Sequence, residues 1–363
     1  MIEKVSDFNP DWVSPPGDTI ADLLEERGWK QTEFAARIGC TTKHVSLLVN
    51  GKVSISDDIA IRLERVLGST ARFWLTREAH FRAAIARVGE RSILHQQAGW
   101  LGQLPLADMK KFRWIRPFSE ASEQMAECLR FFGVASVDAW EVNYAKPMAA
   151  FRASTKCEMQ VGAVSAWLRQ GERTAINVET KVFDRNAFRE VLRELRCLTM
   201  ESDPKVFVPR MVKDCAQAGV AVAIVPAPRG CPVSGAARWL TQDKALLMLS
   251  LRHKSNDHFW FSFFHEAGHI LLHGKKLLFI DVENDLNGSN EAEANAFASD
   301  WLIPPDAIVR LRTLSKSAAA ISAFASKVGV APGIVVGRMQ KEGCLPSAHL
   351  NRLKVRYRWA HEK

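Results

Sequence analysis

The stretch FFHEAGHILLHG, residues 263–274, sets two histidines four residues apart, with a glutamate directly after the first. Apolar residues recur at helical spacing around it and Gly274 ends it, which predicts one helix with His265 and His269 on the same face. Two imidazoles so placed can bind one metal ion, and a catalytic zinc site needs a third protein ligand and one position for water. Glu266 is then close enough to that water to take its proton.

The candidate third ligand lies in NEAEANAFASDWLIPP, residues 290–305, which is predicted to be a second helix ended by two prolines. Glu291 and Asn295 share a face of this helix, so one can bind metal while the other hydrogen-bonds a ligand histidine. Glu293 is the competing ligand, because it too lies near the edge of the apolar face. We favour Glu291, which stands four residues before its polar partner as in thermolysin-like sites.

HEAGHILLHG followed by EAEANAFASDWLIP resembles the ImmA/IrrE family of zinc metallopeptidase-like proteins, over about residues 211–359. The resemblance implies a small sheet, a zinc-carrying helix and regulatory proteolysis, often of a repressor protein. His273 accompanies the family's motif, and we interpret it as structural or as a partner of a ligand. The positions that match the motif itself are the expected zinc ligands His265, His269 and Glu291, the catalytic Glu266, and Asn295 beside a ligand.

The sheet is predicted from three short apolar runs, GVAVAIVPA, AARWL and ALLMLSL, which are separated by Pro, Gly and polar turns from residue 219 onward. Residues 96–180 contain amphipathic helical stretches and no constellation of chemical groups. We interpret them as a helical connector and a candidate dimer interface. Their tryptophans are interpreted as core residues: Trp100, Trp114, Trp140 and Trp167.

Near the N-terminus, QTEFAARIGCTTKHVSLLVNG, residues 31–51, combines Ala35, Gly39 and Val45. Two helices that cross at a steep angle need these residue types, because the alanine permits close approach, the glycine turns the chain and the valine anchors the second helix. The pattern therefore predicts a helix-turn-helix.

The segment resembles the lambdoid-repressor type, and ISDDIAIRLERVLGSTARFWLTREAHF, residues 55–81, is similar to the HigA antitoxin branch; together the resemblance covers about residues 13–88. It implies that Thr41 caps the recognition helix and that three side chains face base edges: Thr42, Lys43 and Leu47. Gln31 and Asn50 would hold backbone phosphates at the two ends. His44 is open between a DNA contact and a solvated surface residue.

The formal charge of +9 is confined to the end of the chain, because Lys+Arg and Asp+Glu balance at 13 each in residues 1–95 and at 25 each in 96–309, against 11 and 2 in 310–363. The run RLKVRYRW, residues 352–359, could bind an anionic surface, although we favour a solvated face. The neutral N-terminal region predicts modest affinity per module, and hence a homodimer on a two-fold DNA site.

The segment FASKVGVAPGIVVGRM, residues 324–339, repeats the earlier spacing with Ala325, Gly329 and Val335. It resembles a second helix-turn-helix. However, Pro332 and Gly333 fall where the recognition helix should begin, and no polar side chain convincingly occupies a base-reading position. We interpret it as a packing element of the C-terminal domain.

Two features bear on location. No run approaches the ~20 apolar residues of a bilayer-spanning helix, and the N-terminus is too acidic for a signal peptide. The seven cysteines form no CxxC pair, which indicates reduced thiols and argues against a cysteine-built zinc site. We therefore expect a cytoplasmic protein with no membrane partner.

The predicted fold class is mainly α with a small β-sheet (α+β): a five-helix helix-turn-helix domain in 1–95, the helical connector in 96–180 and a zincin-like metallopeptidase domain in 181–363. The leading functional hypothesis is a regulator that binds double-stranded operator DNA and cleaves a partner regulator with zinc. The chief rival is a non-catalytic HigA-like antitoxin or repressor whose peptidase-like domain binds a partner or toxin protein. A general peptidase with a protein-recruiting N-terminal domain is a third hypothesis.

Overall fold

The computed structural model describes residues 14–148, 159–274 and 289–359, together with the backbone of 279–282. Contacts within the chain divide it into two compact units. The first contains the residues up to Ala98 with Ala121–Glu123, and the second contains Gly99–Glu120 and the residues from Gln124 onward.

The first unit contains the five predicted helices: α1 (Pro16–Glu26), α2 (Gln31–Ile38), α3 (Thr42–Val49), α4 (Asp57–Leu67) and α5 (Ala71–Gln96). A hydroxyl side chain caps the N-terminus of each of the last three helices. The hydroxyl of Thr70 accepts a hydrogen bond from the backbone N–H of Phe73 at 3.1 Å, which satisfies one of the free donors at the start of α5. The core of the unit contains residues from all five helices, including Ile20, Phe34 and Trp74.

The turn between α2 and α3 has the predicted helix-turn-helix geometry. Gly39 ends α2 with a φ of +70°, a left-handed conformation that glycine adopts without steric cost. Ala35 and Val45 are buried in the core of the unit. The predicted helix-turn-helix is confirmed.

The second unit is larger and also mostly helical. Its helices are α6 (Leu106–Lys111), α7 (Ala121–Phe132, whose first three residues group with the first unit), α8 (Val137–Trp140), α9 (Val161–Ile176), α10 (Arg185–Cys197), α11 (Pro204–Gln217), α12 (Asn256–Leu272), α13 (Ser289–Leu302), α14 (Pro305–Arg312), α15 (Ala318–Val328) and α16 (Pro332–Lys341). Short 3-10 turns lie at Ala98–Gln103, whose first residue groups with the first unit, and at Leu198–Met200 and Asn351–Leu353, and a π-helical turn lies at Glu141–Ala145.

Among the described residues of this unit, one mixed sheet has four strands in the order β1-β3-β2-β4. Strand β3 pairs parallel with β1 and antiparallel with β2, and β4 pairs antiparallel with β2. The strands are β1 (Val220–Ile224), β2 (Val233–Trp239), β3 (Ala245–Leu249) and β4 (Phe279–Val282). The three predicted strands and the α+β fold class are confirmed, and β4 is an addition.

Successive side chains of a strand point to opposite faces of a sheet, and a helix covers each face of this one. Leu247 and Leu249 of β3 share a core with Phe263 of α12. Between them, Met248 meets Gly171 of α9, where an added Cβ would lie 2.1 Å from the Met248 Cε atom. Helix α9 therefore covers the face opposite α12, so the segment interpreted as a connector packs on the sheet.

The tryptophans of residues 96–180 are buried, as predicted. Trp167 of α9 donates from its indole N–H to the Val225 carbonyl at 3.0 Å, which anchors the helix beside the end of β1. Trp100 and Trp140 pack edge to face with ring centroids 5.4 Å apart. The proposed role of this region in dimerisation stays a prediction.

Within the described residues, no single helix has the length and apolar composition of a membrane span. Helices α15 and α16 meet those two criteria only when taken together, as a pair bent by 107°.

Candidate metal centre

Helix α12 carries the HExxH motif in the interior of the second unit. His265, Glu266 and His269 are 2%, 0% and 1% exposed, respectively. The two imidazoles are four residues apart, so they lie on one face of the helix, and their Nε2 atoms are 3.0 Å apart. Buried polar side chains need partners, and helix α13 supplies them to the two histidines.

Helix α13 crosses α12 closely because small residues lie at the contact. Gly268 of α12 faces Ala294 and Phe297 of α13, and an added Cβ at Gly268 would lie 3.1–3.3 Å from them. This approach places the Glu291 carboxylate 3.1 Å from Nε2 of His265 and 3.3 Å from Nε2 of His269. Three potential ligand atoms of His265, His269 and Glu291 thus lie within 4.8 Å of one another.

The spacing of these atoms fits a metal ion. Tetrahedral zinc with bonds of about 2.0–2.1 Å separates its ligand atoms by about 3.3 Å, close to the 3.0, 3.1 and 3.3 Å found here. The hydrogen bonding also favours a cation. Asn295 Oδ1 lies 3.1 Å from His265 Nδ1, so Nδ1–H donates to it and the lone pair of Nε2 faces the Glu291 carboxylate. Only a proton or a metal ion between those two acceptors makes this contact favourable.

The charge states of the cluster suit a cation as well. Burial raises the pKa of Glu291, but hydrogen bonds from His265 and His269 outweigh it and hold that pKa at about 2. Burial lowers the pKa of His269 below the usual value, against the opposing effect of the hydrogen bond that its ring N–H donates to the Glu291 carboxylate. Both shifts favour the forms that bind metal, a carboxylate and a neutral imidazole.

The competing carboxylate, Glu293, lies away from the paired Nε2 atoms. Its side chain is 60% exposed, and its Oε2 lies 3.6 Å from Nε2 of His273. His273 in turn places its Nδ1 atom 2.9 Å from Nδ1 of His269. The structure therefore brings Glu291 to the two histidines of the motif, whereas Glu293 contacts the histidine that follows them.

Strand β2 supplies a residue that sequence reasoning missed. Gly235 lies directly against the Glu266 carboxylate, and an added Cβ would be 2.5 Å from Glu266 Oε1. Only glycine leaves room for the buried carboxylate at this point of the strand. The sole signal in the sequence is a glycine inside a strand, which marks a bulge or a close approach, and the pairing of β2 with β4 does shift register between Val233 and Gly235.

In the first unit, the side chains expected at DNA lie on or beside the turn between α2 and α3. Thr41 caps α3 by accepting a hydrogen bond from the His44 backbone N–H at 3.1 Å. Thr42 and Lys43 are exposed, and Leu47 and His44 are partly exposed. Gln31 is exposed at the start of α2; Asn50 is exposed at the end of α3, where it donates to the Ser46 carbonyl at 2.7 Å.

Two family models match the chain in the regions just described. Residues 20–74 match the helix-turn-helix model, and residues 234–339 match the IrrE N-terminal-like domain, a peptidase family. The chain therefore carries a helix-turn-helix domain, the fold of DNA-binding regulators, followed by an IrrE-like domain that contains β2, α12 and α13.

Comparisons with curated proteins and with solved structures each found a similar protein. Over 60 residues the chain is 35% identical to the uncharacterized HTH-type transcriptional regulator YddM of Escherichia coli, a match that covers 16% of this chain and 64% of that protein. A solved structure, that of a putative antidote protein of a plasmid maintenance system from Nostoc punctiforme, is 32% identical with a TM-score of 0.22. This match covers 23% of this chain and 94% of the antidote protein.

Proposed function

We propose that this protein is a DNA-binding transcriptional regulator whose IrrE-like domain is a zinc-dependent endopeptidase that cleaves a partner regulator of the repressor or antitoxin type. The observation that carries the proposal is the convergence of His265, His269 and Glu291 at ligand spacing, with the buried carboxylate of Glu266 next to the first ligand on the same helix. The proposed setting is the cytoplasm, where operator DNA and other regulators are accessible.

For DNA binding, we assign base contacts to helix α3. Thr42 and Lys43 are exposed at its first turn, where the recognition helix of this class meets base edges in the major groove. Lys43 can donate to guanine and Leu47 can contact a thymine methyl group. Gln31 and Asn50 contact phosphates on either side. We expect a homodimer on a two-fold operator, because residues 1–95 have no net charge to bind DNA strongly as a single module.

For catalysis, we assign His265, His269 and Glu291 as zinc ligands, with Asn295 holding the ring of His265 by its Nδ1–H. These two imidazoles and one carboxylate would hold zinc, which would supply Lewis-acid activation of a water molecule and polarisation of a carbonyl group. Glu266 then acts as the general base, taking a proton from the attacking water onto a carboxylate oxygen and later giving it to the leaving amine. Gly235 leaves the space in which that carboxylate sits.

The experiment compares wild type with Glu266→Gln, which keeps the size of the side chain and leaves both histidines in place. Zinc content, operator binding and cleavage of a regulator encoded beside this gene are measured on one preparation of each. We expect zinc and DNA binding to be unchanged and the cleavage rate to fall on the order of a hundred-fold or more.

Undiminished cleavage by Glu266→Gln would remove Glu266 from the mechanism. If neither protein cleaves while zinc and operator binding are intact, the result favours the non-catalytic regulator, whose peptidase-like domain binds a partner or toxin protein. Loss of zinc in Glu266→Gln would instead make this carboxylate a ligand and contradict its assignment as the base.

A further inference from the structure

A cavity of about 290 Å³ opens in the second unit beside the start of helix α12. Its walls come from the segment before α12, from the first turns of that helix, from α16 and from the C-terminal segment. The described residues that line it are polar or basic, and none of these is acidic. The lining includes Ser255, His258, Gln340, Asn351, Lys354 and Arg356.

The C-terminal segment is held firmly against the start of α12, so the cavity is a built feature of the fold. The Asn256 backbone N–H donates to the Val355 carbonyl at 2.9 Å, and the Tyr357 N–H donates to the Lys254 carbonyl at 2.8 Å. These bonds flank an antiparallel bridge between Ser255 and Arg356. Lys354 and Arg356 of the basic run 352–359 thus form part of one wall.

The charge that the cavity offers comes mainly from Arg356. Lys354 Nζ lies 2.6 Å from Asp257 Oδ2 and 2.8 Å from Gln340 Oε1, so its charge is already balanced by a buried carboxylate. Arg356 is exposed at the rim, and its guanidinium can bind a carboxylate through two parallel hydrogen bonds. The amide of Asn351 and the hydroxyl of Ser347 add uncharged polar groups.

The cavity lies in line with the candidate metal centre. His258 stands seven residues before His265, which places the two on the same helix face and about 10.5 Å apart along the axis. A smaller cavity of about 10 Å³ is also lined by His258 and continues to Ser262 and Ser234. Ser234 adjoins Gly235, which touches the Glu266 carboxylate.

We propose that this cavity is a specificity subsite that binds an acidic side chain of the peptide cleaved at the metal centre. An extended peptide advances about 3.3 Å per residue, so a span of about 10 Å corresponds to about three residues. The substrate class is therefore a peptide with aspartate or glutamate about three residues from the cleaved bond, recognised by Arg356. This inference rests on the proposed peptidase function.

The first test profiles cleavage of a mixed peptide library by zinc-loaded wild type, by Arg356→Glu and by Arg352→Glu. Arg352 is an exposed arginine of the same C-terminal run that does not line the cavity, so it is the matched control. In wild type and Arg352→Glu, we expect acidic residues about three positions from the cleaved bond to be preferred about fivefold over their amides, the size of a single exposed ion pair. Arg356→Glu should prefer lysine or arginine there. An unchanged profile in Arg356→Glu overturns the proposal.

A second test separates failure of the subsite from failure of the proposed function. Zinc-loaded Glu266→Gln is titrated with an alanine heptapeptide that carries one central glutamate, with its glutamine counterpart and with inorganic phosphate. Tighter binding of the glutamate peptide, abolished by adding Arg356→Glu, supports the subsite even if no peptide is cleaved. Equal binding of the two peptides overturns it, as does binding of phosphate alone, which would indicate a site for a free small anion.

Discussion

The two units present their functional side chains in opposite ways. Around helix α3, the polar groups expected to meet DNA are exposed, and the core beneath them is built from apolar residues of all five helices. On helix α12, the polar groups expected to carry chemistry are buried between a sheet and a crossing helix. An exposed group can be changed without disturbing the fold, whereas a buried cluster is held by partners that must all be present.

The contrast is sharpest where the two regions share a pattern. Gly39 and Gly329 both end a helix in the left-handed conformation, with φ values of +70° and +80°. Yet α16, the helix after Gly329, also buries Ile334 and Val336 in the core and packs Gly333 against Asn256 of α12. The structure packs this segment into the core of the second unit, as predicted. The spacing of alanine, glycine and valine therefore predicts the turn between two helices. Whether the second helix is exposed or buried determines whether it can contact DNA or serves in packing.

Loss of metal should be the largest effect, because in the proposed site a cation holds the buried cluster together. His265→Ala and Glu291→Ala are each expected to lose zinc completely under mild chelation, while wild type keeps one zinc per chain. Metal analysis after dialysis against a weak chelator measures this. Glu293→Ala is the matched control and should keep its zinc, since Glu293 is mostly exposed beside His273. Full occupancy in Glu291→Ala would make the ligand assignment wrong.

Gly235→Ala tests whether the buried carboxylate depends on space that another element leaves for it. The added methyl would lie 2.5 Å from Glu266 Oε1, so the carboxylate must move. A displacement of about 1 Å can cost on the order of a hundred-fold in rate, and we expect cleavage to fall by that order with zinc content unchanged. Gly274→Ala, where an added Cβ meets nothing within 4 Å, is the control. Equal rates for the two variants would remove Gly235 from the site.

Asn295→Ala should have a smaller effect on the metal centre. It removes the acceptor of the His265 Nδ1–H without removing a ligand, and such partners typically account for about 10–100-fold in metal affinity. Competition with a chelator of known affinity measures the change. Asn295→Asp keeps an acceptor oxygen and should restore most of the affinity, which separates the hydrogen bond from a general packing defect. Wild-type affinity in Asn295→Ala would contradict the role given to this residue.

Substitutions of the exposed side chains expected to contact DNA should have the smallest effects, and they should leave the stability of the fold unchanged. Lys43→Ala is expected to lose about 1–3 kcal/mol of discrimination at one base pair. Gln31→Ala should weaken binding to all sequences alike, because a phosphate contact carries no sequence information. Binding of the 1–95 fragment to operator variants measures both. Equal affinity of that fragment for operator and random duplex would end the assignment of α3 as a recognition helix.

Local patterns were enough to predict the five N-terminal helices, the helix-turn-helix, the three strands and helices α12 and α13, because each depends on residues close in sequence. Features that depend on packing between elements far apart in the chain could not be predicted from local patterns. Glu291 and Glu293 both lie near the edge of one apolar face, and only the crossing of α13 over Gly268 brings Glu291 to the histidines. Strand β4 has only four residues and pairs with a distant partner, so periodicity could not identify it.

The approach of Gly235 to Glu266 and the packing of α9 on the sheet likewise involve residues far apart in the chain. Neither leaves a periodic signal. Candidate ligands could therefore be named from the sequence, but the residues that shape the space around them could not.

The central claim is that His265, His269 and Glu291 bind one zinc ion whose remaining position faces Glu266. Anomalous X-ray scattering at the zinc edge, from crystals of the zinc-loaded full chain, tests it most directly. We expect one zinc peak per chain, about 2.0–2.2 Å from the Nε2 atoms of both histidines and from a Glu291 oxygen, with a non-protein fourth ligand. A peak elsewhere, no peak, or four protein ligands including Glu266 or His273 would contradict the account, the last because a closed zinc site is structural.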